Sequence, residues 1–210
     1  EEEKLGLHSS STADIRLDGV RVGRDRLLHE ENRGFVVAMT TLDGGRIGIA
    51  SQAVGLARAA YEAAVAYVKE RKSFGQAIGS FQMIQAKIAD MKCRLDAAEL
   101  LTLRAAWAKA NAERNGGRYS TEASVAKLSA SESAMFITHQ ALQIHGGMGF
   151  VEETGAAQYY RDARILPIYE GTNGIQSNDL VFRKVLRDGG AEAKKFLDEM
   201  KEFLSTLGNK

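Results

Sequence analysis

The chain has 210 residues, 28 basic and 27 acidic, and its formal net charge of +1 gives no electrostatic case for a nucleic-acid partner. Apolar residues make up 44% of it, enough for a core of ordinary domain size. The single cysteine, Cys93, excludes an internal disulfide and argues against a thiolate zinc site, and no run of about 18 apolar residues suggests a membrane span.

The opening Glu1-Glu2-Glu3-Lys4 is neither a signal nor a transit peptide, and the missing initiator Met points to an upstream part of the chain. Ala13-Asp14-Ile15-Arg16-Leu17-Asp18 alternates polar and apolar residues, Gly19 offers a turn, and Val20-Arg21-Val22 resumes. A period of two predicts short strands. Such short strands form no sheet alone, so residues 1–30 read as the end of a β-domain whose other strands precede residue 1.

From Phe35 the period lengthens. Phe35, Ala38, Met39, Leu42, Ile49, Ala53 and Leu56 recur at helical spacing, and the pattern runs to about Val68. A second helix is expected from Ser80, a competent N-cap, to about Ala112. Ile84, Ile88, Met91, Leu95 and Ala98 mark its apolar face. After the turn at Asn115-Gly116-Gly117, a third helix follows Ser120 and stops at Gly146-Gly147, where helical preference is lost. Residues 146–172 read as loop and short helix. A fourth helix is expected from Thr172 or Asn173 to about Leu186. Beyond Asp188-Gly189-Gly190, an amphipathic helix is expected from Ala191 to Leu207, with Phe196, Met200, Phe203 and Leu204 on one side. Pro167 is the only proline, which favours long helices. The fold class is therefore mainly α: a four-helix bundle over 31–183, preceded by a β-domain remnant and followed by an extension helix over 184–210.

Taken singly, the motif residues have plain readings. Glu170 is a glutamate near a helix start, and Asp43 and Arg46 have the spacing of a helix-surface ion pair. Arg71 reads as a surface arginine, Phe74 as a core aromatic, Gln82 as a polar helix start, and Thr172 and Asn173 as caps. Gly146-Gly147-Met148-Gly149 is no nucleotide fingerprint, since no strand precedes it. His8, His29, His139 and His145 lack ligand spacing, so no metal site is expected.

Together the motifs say more. Asp43-Gly44-Gly45-Arg46-Ile47-Gly48-Ile49-Ala50, Arg71-Lys72-Ser73-Phe74-Gly75, Gln143-Ile144-His145-Gly146-Gly147-Met148-Gly149-Phe150, Tyr160-Arg161-Asp162-Ala163-Arg164-Ile165 and Ile168-Tyr169-Glu170-Gly171-Thr172-Asn173 stand in the order and spacing of one family. The chain resembles the C-terminal half of an acyl-CoA dehydrogenase, nearest to short-chain, butyryl-type members. The Ile-Tyr-Glu-Gly-Thr-Asn-Gly-Ile-Gln run at 168–176 and the continuation past residue 186 also resemble larger members with a C-terminal extension.

The resemblance implies FAD-dependent α,β-dehydrogenation of a fatty acyl-CoA. Glu170 would remove the α-proton while the β-hydride passes to flavin N5. An α-proton beside a thioester needs a positioned base, and a carboxylate in an apolar, substrate-filled cleft has a raised pKa because desolvation disfavours its charge. Some relatives carry the base just before the arginine matching Arg46; here that position is Gly45. Asp43, Gly44, Gly45, Arg46 and Gly171 would line the substrate, with Arg46 orienting or tuning Glu170. Arg71, Phe74, Gln82, Gln143, Ile144, His145, Gly146, Gly147, Thr172, Asn173 and Gly174 would contact FAD, several of them the FAD of a neighbouring subunit. Arg161 and Asp162 would hold the loop that carries Glu170. The implied partners are an acyl-CoA, an electron-transfer flavoprotein and further copies of the chain in a dimer of dimers, in the bacterial cytoplasm or the mitochondrial matrix. The competing readings are a flavoprotein of the same fold that is not a dehydrogenase, or an inactive bundle fragment acting only in oligomerisation.

Overall fold

Small side chains at helical spacing make the body of the molecule. Ala50, Ala53, Ala57, Ala60 and Ala64 are almost fully buried along one stripe of α1 (Gly34–Glu70). This helix leads into a two-strand hairpin, β1 (Lys72–Ser73) and β2 (Gln76–Ala77), and then α2 (Gln82–Ala110). A 3-10 turn at Ala112–Asn115 precedes α3 (Ser120–His145), whose Ala123, Ala126, Ala130, Ala134 and Ala141 are as buried as those of α1. Alanine stripes let helix backbones approach closely, while Met91, Leu95 and Ile137 fill the remaining space. The computed structural model describes residues 1–185, 189–191, 194, 197, 198 and 201.

Cross-helix pairs fix the directions. Arg46 of α1 meets Ser124 of α3, and Tyr67 stacks on His145, so α1 and α3 run parallel. Lys87 meets Gln140 and Arg94 lies over the Phe136 ring, so α2 runs antiparallel to both. Three shorter helices follow: α4 (Gly147–Phe150), α5 (Ala156–Ala163) and α6 (Asn173–Asn178), the last continuing as a π-helix over Asp179–Val185. The chain is mainly α, as the sequence predicts. Replacing the fully buried Ala134 with Leu should overpack the bundle and destabilise it by about 1–3 kcal/mol. Denaturant titration of the two forms checks this.

Three expectations are corrected. Residues 13–22 form no strand, because a strand needs a neighbour to complete its ladder and none is paired with them among the described residues. Ser80 does not cap α2; it belongs to a 3-10 turn over Ile78–Ser80, and Phe81 occupies the cap position without a side-chain bond. Asp162 does not brace the loop at 170. Its Oδ1 accepts the Leu7 N–H at 2.7 Å, tying the N-terminal segment to α5, and Arg161 pairs with Glu152 at 3.4 Å. The helix expected over 191–207 falls largely outside the described residues, including Phe196, Met200, Phe203 and Leu204.

Candidate active site

Between α5 and α6 the chain makes a tight loop. Ile168 and Tyr169 donate back to Ile165 O, and the Asn173 N–H closes onto Pro167 O at 3.0 Å. Closing it requires two successive left-handed residues, Glu170 at φ 56° and Gly171 at φ 88°. Glycine adopts this conformation freely; a glutamate there costs of order 1–3 kcal/mol and must be held by its surroundings. The result is that Glu170 extends toward α1. Its Oε2 lies 2.7 Å from where a Cβ on Gly45 would stand. Only a residue without a side chain leaves room for the carboxylate at that point. Among the described residues no hydrogen bond or ion pair engages the Glu170 carboxylate.

The loop is anchored on both flanks. Tyr169 donates its hydroxyl to Gln52 Oε1 on α1 at 2.6 Å, and burial, then the negative charge of Glu170, pushes the Tyr169 phenol up. On the other side, Lys127 of α3 is completely buried and its Nζ donates to Gly171 O at 2.7 Å and Asn173 Oδ1 at 2.9 Å. Asn173 also accepts from Ser131 and donates to Glu132 at 2.6 Å, while the Thr172 hydroxyl caps α6 by accepting from Ile175 N–H.

Asp43 and Arg46 form a partly buried pair at 2.7 Å rather than the surface pair their spacing suggests. Arg46 also donates to Ser124, and Asp43 accepts from Ser120. Arg46 thus bonds to Asp43 and not to Glu170, and its Nε is buried without a partner among the described residues. Its charge still reaches Lys127. Burial first, then Arg46, brings the Lys127 ammonium down to about 8, against the pull of Glu132 and Glu170. Below pH 8 this lysine is protonated in both folded and unfolded chains, and its unfavourable burial is felt in full. Between about 8 and 10.5 the folded protein releases a proton that the unfolded chain keeps. The lysine's contribution therefore makes stability rise with pH across that window. Between about pH 7 and about pH 9, roughly one unit either side of the titration, denaturant midpoints should move in favour of the wild type over Lys127→Met. A constant gap would contradict the assignment.

The structure gathers Asp43, Gly44, Gly45, Arg46, Glu170, Gly171, Thr172 and Asn173 at one end of the bundle. It does not bring Arg71, Phe74, Gln82 or Gln143 through Gly147 to them. At about 1.5 Å per residue, roughly 39 Å of helix separates Gly45 from Arg71. At that far end, Phe74 sits at the tip of the hairpin at φ 52°, 95% exposed, not in the core. Phe74 and Gly75 both have positive φ, as a two-residue hairpin turn requires. Arg71, Gln82, Gln143, Gly146 and Gly147 are also exposed. Ile144 and His145 are buried, the imidazole stacked on Tyr67 with centroids 4.3 Å apart and bonded to Ala141 O. Gly174 is exposed beside Thr172.

Sequence reasoning missed Lys127, Gln52, Ser124 and Gln176. Lys127 had a signal: it stands between Ala123 and Ala134 at the spacing of the buried face, where a cation demands partners. Gln176 is buried over Gly171 with neither side-chain polar atom hydrogen-bonded among the described residues, and nothing in its sequence context marks it.

Comparisons with known proteins fit this arrangement. A family model described as the acyl-CoA dehydrogenase C-terminal domain matches residues 32–184. The mitochondrial short-chain specific acyl-CoA dehydrogenase of Bos taurus is 53% identical over 175 residues, 83% of this chain and 42% of the relative. Butyryl-CoA dehydrogenase from Megasphaera elsdenii superposes with a TM-score of 0.83 at 44% identity, covering 87% of this chain and 46% of that one. A chain solved in work on the electron transferring flavoprotein of Acidaminococcus fermentans superposes with a TM-score of 0.84 at 44% identity, covering 89% and 48%. This chain thus spans less than half the length of the relatives it matches.

Proposed function

Because the chain belongs to the acyl-CoA dehydrogenase family, carrying its C-terminal domain, we propose that it supplies the base and part of the substrate cleft for α,β-dehydrogenation of a short-chain acyl-CoA. The observation that carries this reading is the Glu170 carboxylate, free of hydrogen bonds among the described residues and extended over Gly45. Gly45 leaves room for the carboxylate itself, and Gly171, at φ 88°, supplies the left-handed backbone that follows it. Glu170 takes the α-proton.

FAD, when bound, supplies the acceptor for the β-hydride. The far end of the bundle suits it. Arg71 offers the paired donors that match a pyrophosphate, Phe74 an exposed aromatic face, and Gln143, Gly146 and Gly147 an exposed helix end. At roughly 39 Å from Gly45, that set serves the flavin of a second subunit, while Thr172 to Gly174 border the flavin nearest Glu170. This division supports an oligomeric active unit, and the likeness to short-chain dehydrogenases supports an electron-transfer flavoprotein as the acceptor of its electrons. Relatives include mitochondrial and bacterial forms, and both compartments suit the proposal.

Anaerobic addition of butyryl-CoA to the FAD-loaded enzyme that carries this chain tests the reading. Bleaching of the flavin band is expected. A flavin that stays oxidised, although the thioester binds, would overturn it.

A further inference from the structure

The mechanism above uses a base on a strained loop, and no part of it needs a lysine. Yet Lys127 is 0% exposed, in the middle of the alanine face of α3. Burying an ammonium is costly unless its donors are matched. Here two are matched, and both partners belong to the loop: Gly171 O and Asn173 Oδ1. Asn173 is itself fixed by Ser131 and Glu132 on α3, so the loop is bolted to one rigid helix through a four-residue polar cluster. The charged groups facing Lys127 are Arg46 from α1, Glu132 from its own helix and Glu170 from the loop.

We propose that Lys127 is a positioning residue for the base: its clamp on Gly171 O and Asn173 Oδ1 holds the left-handed pair 170–171 so that the Glu170 carboxylate stays over Gly45. The proposal rests on the reading of Glu170 as the base. Its physical content is leverage. Gly171 has almost unrestricted backbone freedom, and it directly follows the reacting residue. A carbonyl pinned at Gly171 removes that freedom at the point where it would swing the carboxylate most. The tight clearance above Gly45 means that a small rotation moves Oε2 out of register.

The test compares Lys127→Met and Glu170→Gln with wild type, all FAD-loaded. Flavin reduction by butyryl-CoA is measured anaerobically per bound flavin, with and without α-deuterium, beside the dissociation constant of the enoyl-CoA product. Lys127→Met is expected to slow reduction roughly 100-fold, with a larger α-deuterium isotope effect and product affinity changed by less than about threefold. A merely structural lysine would lower flavin content or melting temperature and leave the rate per bound flavin and the isotope effect at wild-type values; that result overturns the proposal. If Lys127→Met does not fold, Lys127→Gln, which keeps a donor without the charge, is judged by the same two numbers. A silent Lys127→Met beside an inactive Glu170→Gln sinks the positioning role alone. An active Glu170→Gln sinks the base assignment, and the proposal with it.

Discussion

Glu170→Gln should reduce the rate of substrate-driven flavin reduction by about 10⁴-fold, the upper range for loss of a general base. The substitution keeps the size of the side chain and the left-handed backbone at φ 56°, so the loop and the clearance above Gly45 are retained. What is lost is the capacity to take a proton. Binding of the enoyl-CoA product should change little, because the uncharged amide fills the same space. Stopped-flow absorbance of the flavin band under anaerobic conditions reads the rate, and titration with product reads the binding. A variant that reduces flavin at the wild-type rate would remove Glu170 from the chemistry.

Gly45→Ala should move stability and activity in opposite directions. Within α1, exchanging glycine for alanine stabilises the helix by about 0.5–1 kcal/mol, since the unfolded glycine has more freedom to lose. The new Cβ, however, would stand 2.7 Å from Glu170 Oε2 and 3.3 Å from its Cδ. The carboxylate is the far end of a flexible side chain, so it yields at little cost to folding. Yielding displaces the base from the α-carbon, and a misplacement near 1 Å is worth roughly 100-fold in rate. A melting temperature that holds or rises, with kcat falling roughly 10- to 100-fold, is the expected pair of results. Unchanged kcat would show that Gly45 does not border the base in the working enzyme.

Much of the fold was written in local patterns. The limits of α1 and α3 followed from apolar spacing and from the glycines at 146 and 147, because those signals are contained within the helices themselves. The strand expectation at 13–22 failed for the complementary reason: alternation describes a surface that suits a sheet, but the ladder must come from elsewhere in the chain. At the site, Glu170, Gly45 and Gly171 were marked by the family likeness, and the structure brings the Glu170 carboxylate over Gly45. The Asp43–Arg46 pair was legible by spacing, its burial was not, since burial depends on α3 laying Ser120 and Ser124 against it. Lys127 was legible only as an anomaly on a buried face. Its partners lie more than forty residues onward in the chain, a pairing that no local pattern encodes.

The central claim is that this one carboxylate reaches the carbon next to the thioester, and proton exchange measures that step apart from electron transfer. The FAD-loaded enzyme is incubated in ordinary water with an α-deuterated acyl-CoA whose β-carbon is replaced by sulfur, so that no hydride can leave, and deuterium remaining in the thioester is followed by mass spectrometry. Deuterium should wash out with the wild type and persist with Glu170→Gln. Equal wash-out from both proteins would mean that another group takes the proton, and the assignment of Glu170 would be wrong.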